Sequence, residues 1–462
     1  MAQARKMTLV EAYKKRIAFA ENLYQQERGT KLPEFKKAII AQVINTQNKI
    51  LTEAFGADAA TQTANVGGVN ATYRDMKKFC IDIANVAVPN LISLDLVITK
   101  PMTSEYGTLR YLKFVAGVNK GGVKVGDVFN RPFALGKMDE NRVNYTGNSV
   151  IDPFVGNGVT TAFTLTFTQG VTADTISKVL VDGSETTAYS FADGVVTFTS
   201  APADGKAIKI AYTYNNVEIP QAQIPTIKAS FDVIKLEAKA RRIGIYYSTL
   251  AQYSYKVESG EDLGKKLAEQ AVSEIQYEID NETTYLLKDL AFADGKETVT
   301  FYKKKPVGVP LREHYMTLLS KIAKAGTIMY KATQKFRPNY LVVAPEFIEI
   351  LTMVDGFKAN EVKPGPYFLG TVAGLKTYVS PQLENVAYVG FNSNDLAASA
   401  AVFAPFMVCT PTMLLEMPDN SAMQGFATLY DLQPLNDLLV VGIILNTTDN
   451  DPEEEDIIIS GN

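Results

Sequence analysis

Acid–base, metal and phosphate chemistry each need particular side chains at particular spacings, and this 462-residue chain offers few of them. His314 is the only histidine. It follows Glu313 in a helical run, but the pair lacks the second histidine of a zinc-protease helix, so a core or solvated imidazole is the favoured reading. Gly260-Glu-Asp-Leu-Gly264-Lys265-Lys266 has the glycines and lysine of a phosphate loop. It is one residue short, has no Ser or Thr after the lysine, and sits among acids in a helical run. Gly156-Asn-Gly158 leads into a strand, so no helix N-terminus follows to receive a phosphate. Cys80 and Cys409 are the only cysteines, and nothing beside either suggests a metal site. Two buried free thiols of a reducing cytoplasm fit them better than a disulfide. No Gly-Xaa-Ser-Xaa-Gly elbow occurs. The reading is a chain with no catalytic, metal-ligating or cofactor-binding residue, and not an enzyme.

The elements that would position any site are better marked. The length allows roughly three domains of ordinary size and a substantial core. Hydrophobic residues make up 46% and charged residues 21%, which is ordinary for a globular protein, but 23 Tyr and 23 Phe stand beside no Trp. No apolar run reaches the roughly 18–20 residues that span a bilayer. The longest, Leu438 to Leu445, is short and β-branched and reads as a buried strand. Lys6, Lys14, Lys15 and Arg16 interrupt the N-terminus, leaving no apolar signal core. Residues 1–53 carry ten Lys/Arg and five Asp/Glu; taking that +5 from the overall −4 leaves −9 for residues 54–462. A body of that sign is a poor partner for DNA phosphate and predicts no specific nucleic-acid recognition.

Along the chain, Val10, Tyr13, Ile17, Ala20 and Tyr24 predict an amphipathic helix over 7–26, ended by Gly29. Pro33 then opens a second helix with Phe35, Ile39, Val43 and Ile50 on one face. Tyr73 to Cys80 reads as helical, and Leu109-Arg-Tyr-Leu-Lys-Phe-Val as a strand. Residues 148–217 alternate β-branched and polar positions, punctuated by Asp182-Gly183, Asp193-Gly194 and Asp204-Gly205, and read as an inserted small β-sandwich. Insertion of a module at a loop tip costs little, because closure entropy grows only logarithmically with length. From 263 to 290 one long helix is expected, with a capping box at Ser259–Asp262 and Leu263, Leu267, Ala271, Ile275, Ile279 and Leu286 on its buried face. Further on come a helix over 310–333, a strand at 339–344, a short helix at 345–353 and closing strands to Leu445. Residues 448–462 read as an acidic, solvated tail.

Four stretches carry a family resemblance. Basic Ala240-Arg241-Arg242, the segment Tyr246 to Gln252, a short loop and the long acidic helix resemble the major capsid proteins of T-even-type tailed bacteriophages. Lys100-Pro-Met-Thr103 with its Gly turn and strand does so too, as does the strand, Pro345, short helix and Asp355-Gly356. The fourth is Gly390-Phe391, an Ala-rich bend and Phe403-Ala-Pro-Phe406. The resemblance covers nearly all of 54–445 outside the insertion. It implies an α+β, Hong Kong 97-like capsid fold. Residues 1–53 would be a helical, scaffolding-like segment that is later removed, against the plain alternative of an ordinary helical hairpin. Residues 54–100 would be the N-terminal arm, 101–147 the first part of the extended loop, and 148–217 the inserted β-sandwich. Residues 218–334 would hold the loop return, spine helix and peripheral domain, 335–405 the axial domain, 406–447 the return strands, and 448–462 the tail.

Leu51-Thr-Glu53 before Ala54 resembles the cleavage pattern of the prohead proteases of such phages: an aliphatic residue, any residue, glutamate, then a small residue. The implied function is a structural subunit that self-assembles into hexamers and pentamers of an icosahedral head around double-stranded DNA, located in the virion and assembled in the bacterial cytoplasm. Portal, vertex, scaffold and decoration proteins would be its partners, with no membrane and no cofactor. Two alternatives remain: a pentamer-forming vertex protein of the same family, and a soluble glycan-binding protein or enzyme carrying a β module. The insertion would clamp subunits together or bind glycan.

Overall fold

A computed structural model describes residues 9–55, 63–66, 69–72, 88–128 and 145–447, except Asp262, Gln334, Gly356, 363–364, 412–414 and Pro418. The helix expected over Tyr73–Cys80 and the acidic tail lie outside these residues. The described chain mixes α and β structure in two compact units, one of residues 1–109 with 233–462 and one of Arg110–Asp232.

In the first unit, α1 (Lys14–Arg28) and α2 (Glu34–Phe55) form a helical hairpin turned at Gly29. Ile17, Ala20 and Tyr24 of α1 are buried, in step with the apolar stripe. The buried face of α2 is the expected one only in part: Val43 is buried and Ile39 packs against the core, but Lys36, Ile40, Ile44 and Gln47 are also inside, while Phe35 is exposed. An ion pair formed by Lys36 draws that face inward, and a paired buried charge tolerates such a position where a lone one would not.

Short α3 (Ser93–Leu96) leads into β3 (Ile98–Thr99). Strand β4 (Tyr106–Ala116) leaves this unit, and β12 (Ile227–Glu237) returns to it as its antiparallel-ribbon partner. Next come β13 (Lys239–Ser248) and α4 (Thr249–Ser259), whose first turn is capped by the Ser248 hydroxyl accepting from Leu250 N–H. The long helix is α5 (Leu263–Ala291), about 43 Å at 1.5 Å per residue. Ser259 does not open it. Its hydroxyl donates to the Tyr255 carbonyl and closes α4, and Gly260 follows in the left-handed region at φ 73°. Ala271, Ile275 and Ile279 of α5 are buried as expected and Leu263, Leu267 and Leu286 are half-buried against the same core, with Ala268 and Leu287 beside them deeper inside. A strict four-residue repeat drifts about 40° per step around a 3.6-residue helix, so the buried line moves over by one position at each end.

Two sheets pack against this helix and its surroundings. One runs β13–β21–β19–β3, with β19 (Ala401–Pro411) and β21 (Ser421–Pro434) long and antiparallel. The other has six strands: β14 (Val299–Tyr302), β22 (Val440–Asn446), β18 (Val386–Gly390), β15 (Tyr340–Val343), β17 (Leu375–Val379) and β16 (Tyr367–Val372). The late strand β22 lies inside this sheet, parallel to β14 and antiparallel to β18. The helix expected over 310–333 is two, α6 (Leu311–Met316) and α7 (Leu318–Thr333). Thr317 separates them; its hydroxyl donates to the His314 carbonyl at 2.6 Å and competes with the helical ladder. A short helix α8 (Glu346–Thr352) follows β15.

The second unit has its own core. Strand β5 (Ser149–Val155) pairs with β11 (Ala207–Thr213), which also pairs with β7 (Ile176–Val181), and β8 (Ser184–Glu185) adds an edge. A second sheet holds β6 (Ala162–Thr164), β10 (Val195–Phe198) and β9 (Tyr189–Ala192). Both residues of Asp182-Gly183 and of Asp193-Gly194 have positive φ, the backbone of tight hairpin turns. Phe163, Phe167, Val179, Ile208, Ile210 and Tyr212 fill the space between the sheets. Buried Asp152 accepts from Tyr212 Oη at 2.8 Å and Thr166 N at 2.7 Å, so the polar groups of that core are matched.

Candidate assembly interface

The residues singled out for chemistry take structural places. His314 is buried, its Nε2 is 2.8 Å from the Tyr302 carbonyl, and its ring stacks on Phe301. Gly260 terminates a helix, and Asn157 between Gly156 and Gly158 bonds Thr160 in a tight turn. Cys409 lies in β19, while Cys80 is outside the described residues. Among the described residues no group of three or more His, Cys, Asp or Glu could hold a metal, and no helix is long and apolar enough to cross a membrane. Leu51, Glu53 and Ala54 fall together in the last turn of α2.

The chain does carry apolar surface that its own fold leaves uncovered. Helix α4 buries none of its residues. Leu250, Tyr253 and Val257, at i, i+3 and i+7 on one side, are 72%, 71% and 85% exposed, and Tyr246 on the preceding strand adds to them. Alternate positions along β4 and β12 leave Leu112, Phe114, Phe231 and Val233 exposed as well. Single exposed apolar residues are ordinary, but a helical stripe and a ribbon of them mark surface that other protein covers.

Beneath the surface lies a feature the sequence reading missed. The side chain of Asp95 in α3 is buried and accepts from Arg28 Nε at 2.7 Å, from Tyr24 Oη at 2.9 Å and from Lys36 Nζ, three side chains of the N-terminal hairpin. Arg28 also donates to Glu27 at 2.9 Å and to the Leu91 carbonyl at 3.3 Å. Burial opposes ionisation of Asp95, but Lys36, Arg28 and Lys376 outweigh it and hold the carboxyl well below the usual carboxylate range. Burial pushes the Lys36 ammonium down, with Asp95 opposing.

A second buried carboxylate, Asp280 of α5, holds the same segment. It accepts from Ile92 N at 3.2 Å and from Ser93 N and Oγ at 3.0 and 2.9 Å. Burial dominates here and raises its pKa to about 6, although those donors and Arg28 favour the charged form. Residues 91–97 are thus held between a hairpin and a helix that are far away in sequence. The available signal was a cation continuing an apolar stripe, Arg28 four residues after Tyr24, and another, Lys36, four before Ile40.

A family model described as "Major capsid protein Gp23" matches residues 73–448. The major capsid protein of Enterobacteria phage T4 is 22% identical over 471 aligned residues, spanning 91% of this chain and 87% of that protein. Its counterpart in Enterobacteria phage T6 is also 22% identical, spanning 91% and 90%. A solved structure from Microbacterium phage Oxtober96 overlaps 77% of this chain and 91% of its own at 10% identity and a TM-score of 0.38, too slight a likeness to carry an argument.

Proposed function

The chain belongs to the Gp23 major capsid protein family, structural shell components of tailed-phage virions, and from that premise we propose how this subunit builds its shell. Copies associate as hexamers and pentamers of an icosahedral head in a Hong Kong 97-like arrangement. Helix α5 is the spine, residues 335–405 form the axial domain at the capsomer centre, and the β4/β12 ribbon is the extended loop. The observation that carries this is the exposed apolar stripe on α4, where Leu250, Tyr253 and Val257 lie on one side of a helix that buries none of its residues, with further exposed apolar residues along the ribbon. A second copy supplies that partner, and interfaces of this class bury upwards of about 2,000 Å². Tyr and Phe suit such contacts, being enriched in interface cores.

The two-sheet module of residues 149–213 clamps neighbouring subunits. The acidic balance beyond residue 53 lets the wall enclose DNA without binding it specifically. Residues 1–53 serve assembly and are then removed by cleavage between Glu53 and Ala54, near the end of a helix whose last turn can fray. Negative-stain microscopy of the expressed chain tests the assembly reading: shells, tubes or sheets of six-fold rings are expected, and a small monodisperse species overturns it. Intact mass of the chain from virions tests the cut; an N-terminus at Ala54 is expected, and one retaining residues 1–53 refutes it.

A further inference from the structure

The attachment of the N-terminal hairpin goes beyond covering apolar surface. We propose that the hairpin is a charge clasp on the spine: Arg28 and Lys36 grip Asp95, Asp95 fixes α3, and α3 is tied through its amides to Asp280, so that seating or losing the hairpin changes how residues 91–97 sit on α5.

Every link is on one continuous path. Arg28, Lys36, Ser93 and Asp280 are buried, as is the Asp95 side chain; Asp280 accepts from the first amides of the turn, and Asp95 within the turn accepts from the hairpin. Arg28 also pairs with Glu27, and Lys36 with Asp95, so each cation of the clasp has an acidic partner. Without the hairpin, Asp95 loses both ion-pair partners and the Tyr24 hydroxyl. Lys376, whose charge also reaches it, and the Asn392 amide on its carbonyl stay behind. A buried carboxylate so stripped must be rehydrated, protonated or moved. The rest of the segment is held by apolar burial: Leu91, Ile92, Leu94, Leu96 and Val97 lie in the main core, Ile98 N–H donates to Ser399 Oγ at 3.0 Å, and Ile98 and Thr99 pair with Val402 and Phe403. Those apolar contacts keep the segment on the body, so release of the hairpin re-seats the turn by a local shift that rehydrates or protonates Asp95. The consequence for the shell rests on the reading that residues 1–53 are removed; the coupling is a property of the intact chain and is tested there.

The test is hydrogen exchange by mass spectrometry on the full chain, comparing wild type with the Arg28→Met/Lys36→Met pair and with Arg28→Lys, which keeps the charge but loses the Nε contact. Amides of residues 91–97, those of Ile92 and Ser93 included, are expected to exchange at least about tenfold faster in the double variant and by a smaller factor in Arg28→Lys. Adding Asp95→Asn to the double variant removes the stranded charge and is expected to recover most of the protection. Faster exchange confined to residues 14–55, with 91–97 unchanged, overturns the clasp, as does failure of Asp95→Asn to recover any protection. Should the double variant not fold, Arg28→Lys decides by the same two criteria. None of these outcomes bears on the cut at Glu53, which stands or falls by the virion mass.

Discussion

Asp280 gives the sharpest test of the energetics, because its pKa is displaced in the direction opposite to that of Asp95. Its folded value of about 6 lies above the 3.8 of an exposed aspartate, so the folded chain binds this proton more tightly than the unfolded chain. The contribution to stability is therefore complete below pH 3.8 and is lost as pH rises through 6. A gap of roughly two units corresponds to about 3 kcal/mol. Asp280→Asn removes the titration but keeps the shape. Its amide can no longer accept every donor, and one stranded buried N–H costs about 1–3 kcal/mol at all pH. The variant should thus be less stable than wild type by about 1–3 kcal/mol near pH 4, and should match or exceed it at pH 7. Urea unfolding of the unassembled chain, followed by circular dichroism between pH 4 and 7 at fixed protein concentration, reads the difference directly. The Asp95 contribution is lost only as pH falls below about 3.8, outside this window. Parallel curves for the two proteins would refute the assignment of the displaced titration to Asp280.

Three other outcomes follow from the packing. Asp95→Ala leaves Arg28 and Lys36 buried together without their carboxylate and should lower stability by about 3–5 kcal/mol, read as a shifted urea midpoint. At Gly390 an added Cβ would meet the Tyr340 ring at 2.2 Å, so Gly390→Ala should destabilise the six-stranded sheet by about 1–3 kcal/mol or more, measured by thermal unfolding. Tyr253→Glu on the uncovered stripe of α4 should leave the far-ultraviolet spectrum and melting of the unassembled chain within about 0.5 kcal/mol of wild type while preventing particles from forming; normal shells from this variant would remove α4 from the interface.

What could be read from residue order follows from how local each signal is. The long helix α5 was legible because its apolar repeat is contained within the helix, and the Asp-Gly turns because left-handed backbone is a property of two adjacent residues. The face of α2 was not, since Lys36 is inside only on account of Asp95, 59 positions away. Asp280 bonds Ser93 across 187 positions, and nothing in either neighbourhood announces it. The break at Thr317 was missed for a different reason: a threonine within a helical pattern gives no warning that its hydroxyl will take a carbonyl from the ladder. The apolar surface of α4 was half legible. Its residues are plain in the sequence, but only the fold reveals that the subunit itself does not cover them.

The interior position of β22 has a consequence for biosynthesis. Val299 of β14 pairs with Ile443, and β18 takes its other neighbour from the same late strand, so neither can complete its hydrogen bonding until the ribosome has delivered residues 440–446. Such long-range closure is slow and leaves sheet edges open while it waits. The six-stranded sheet, and the core packed on it, therefore takes its finished form only after residues 440–446 have emerged.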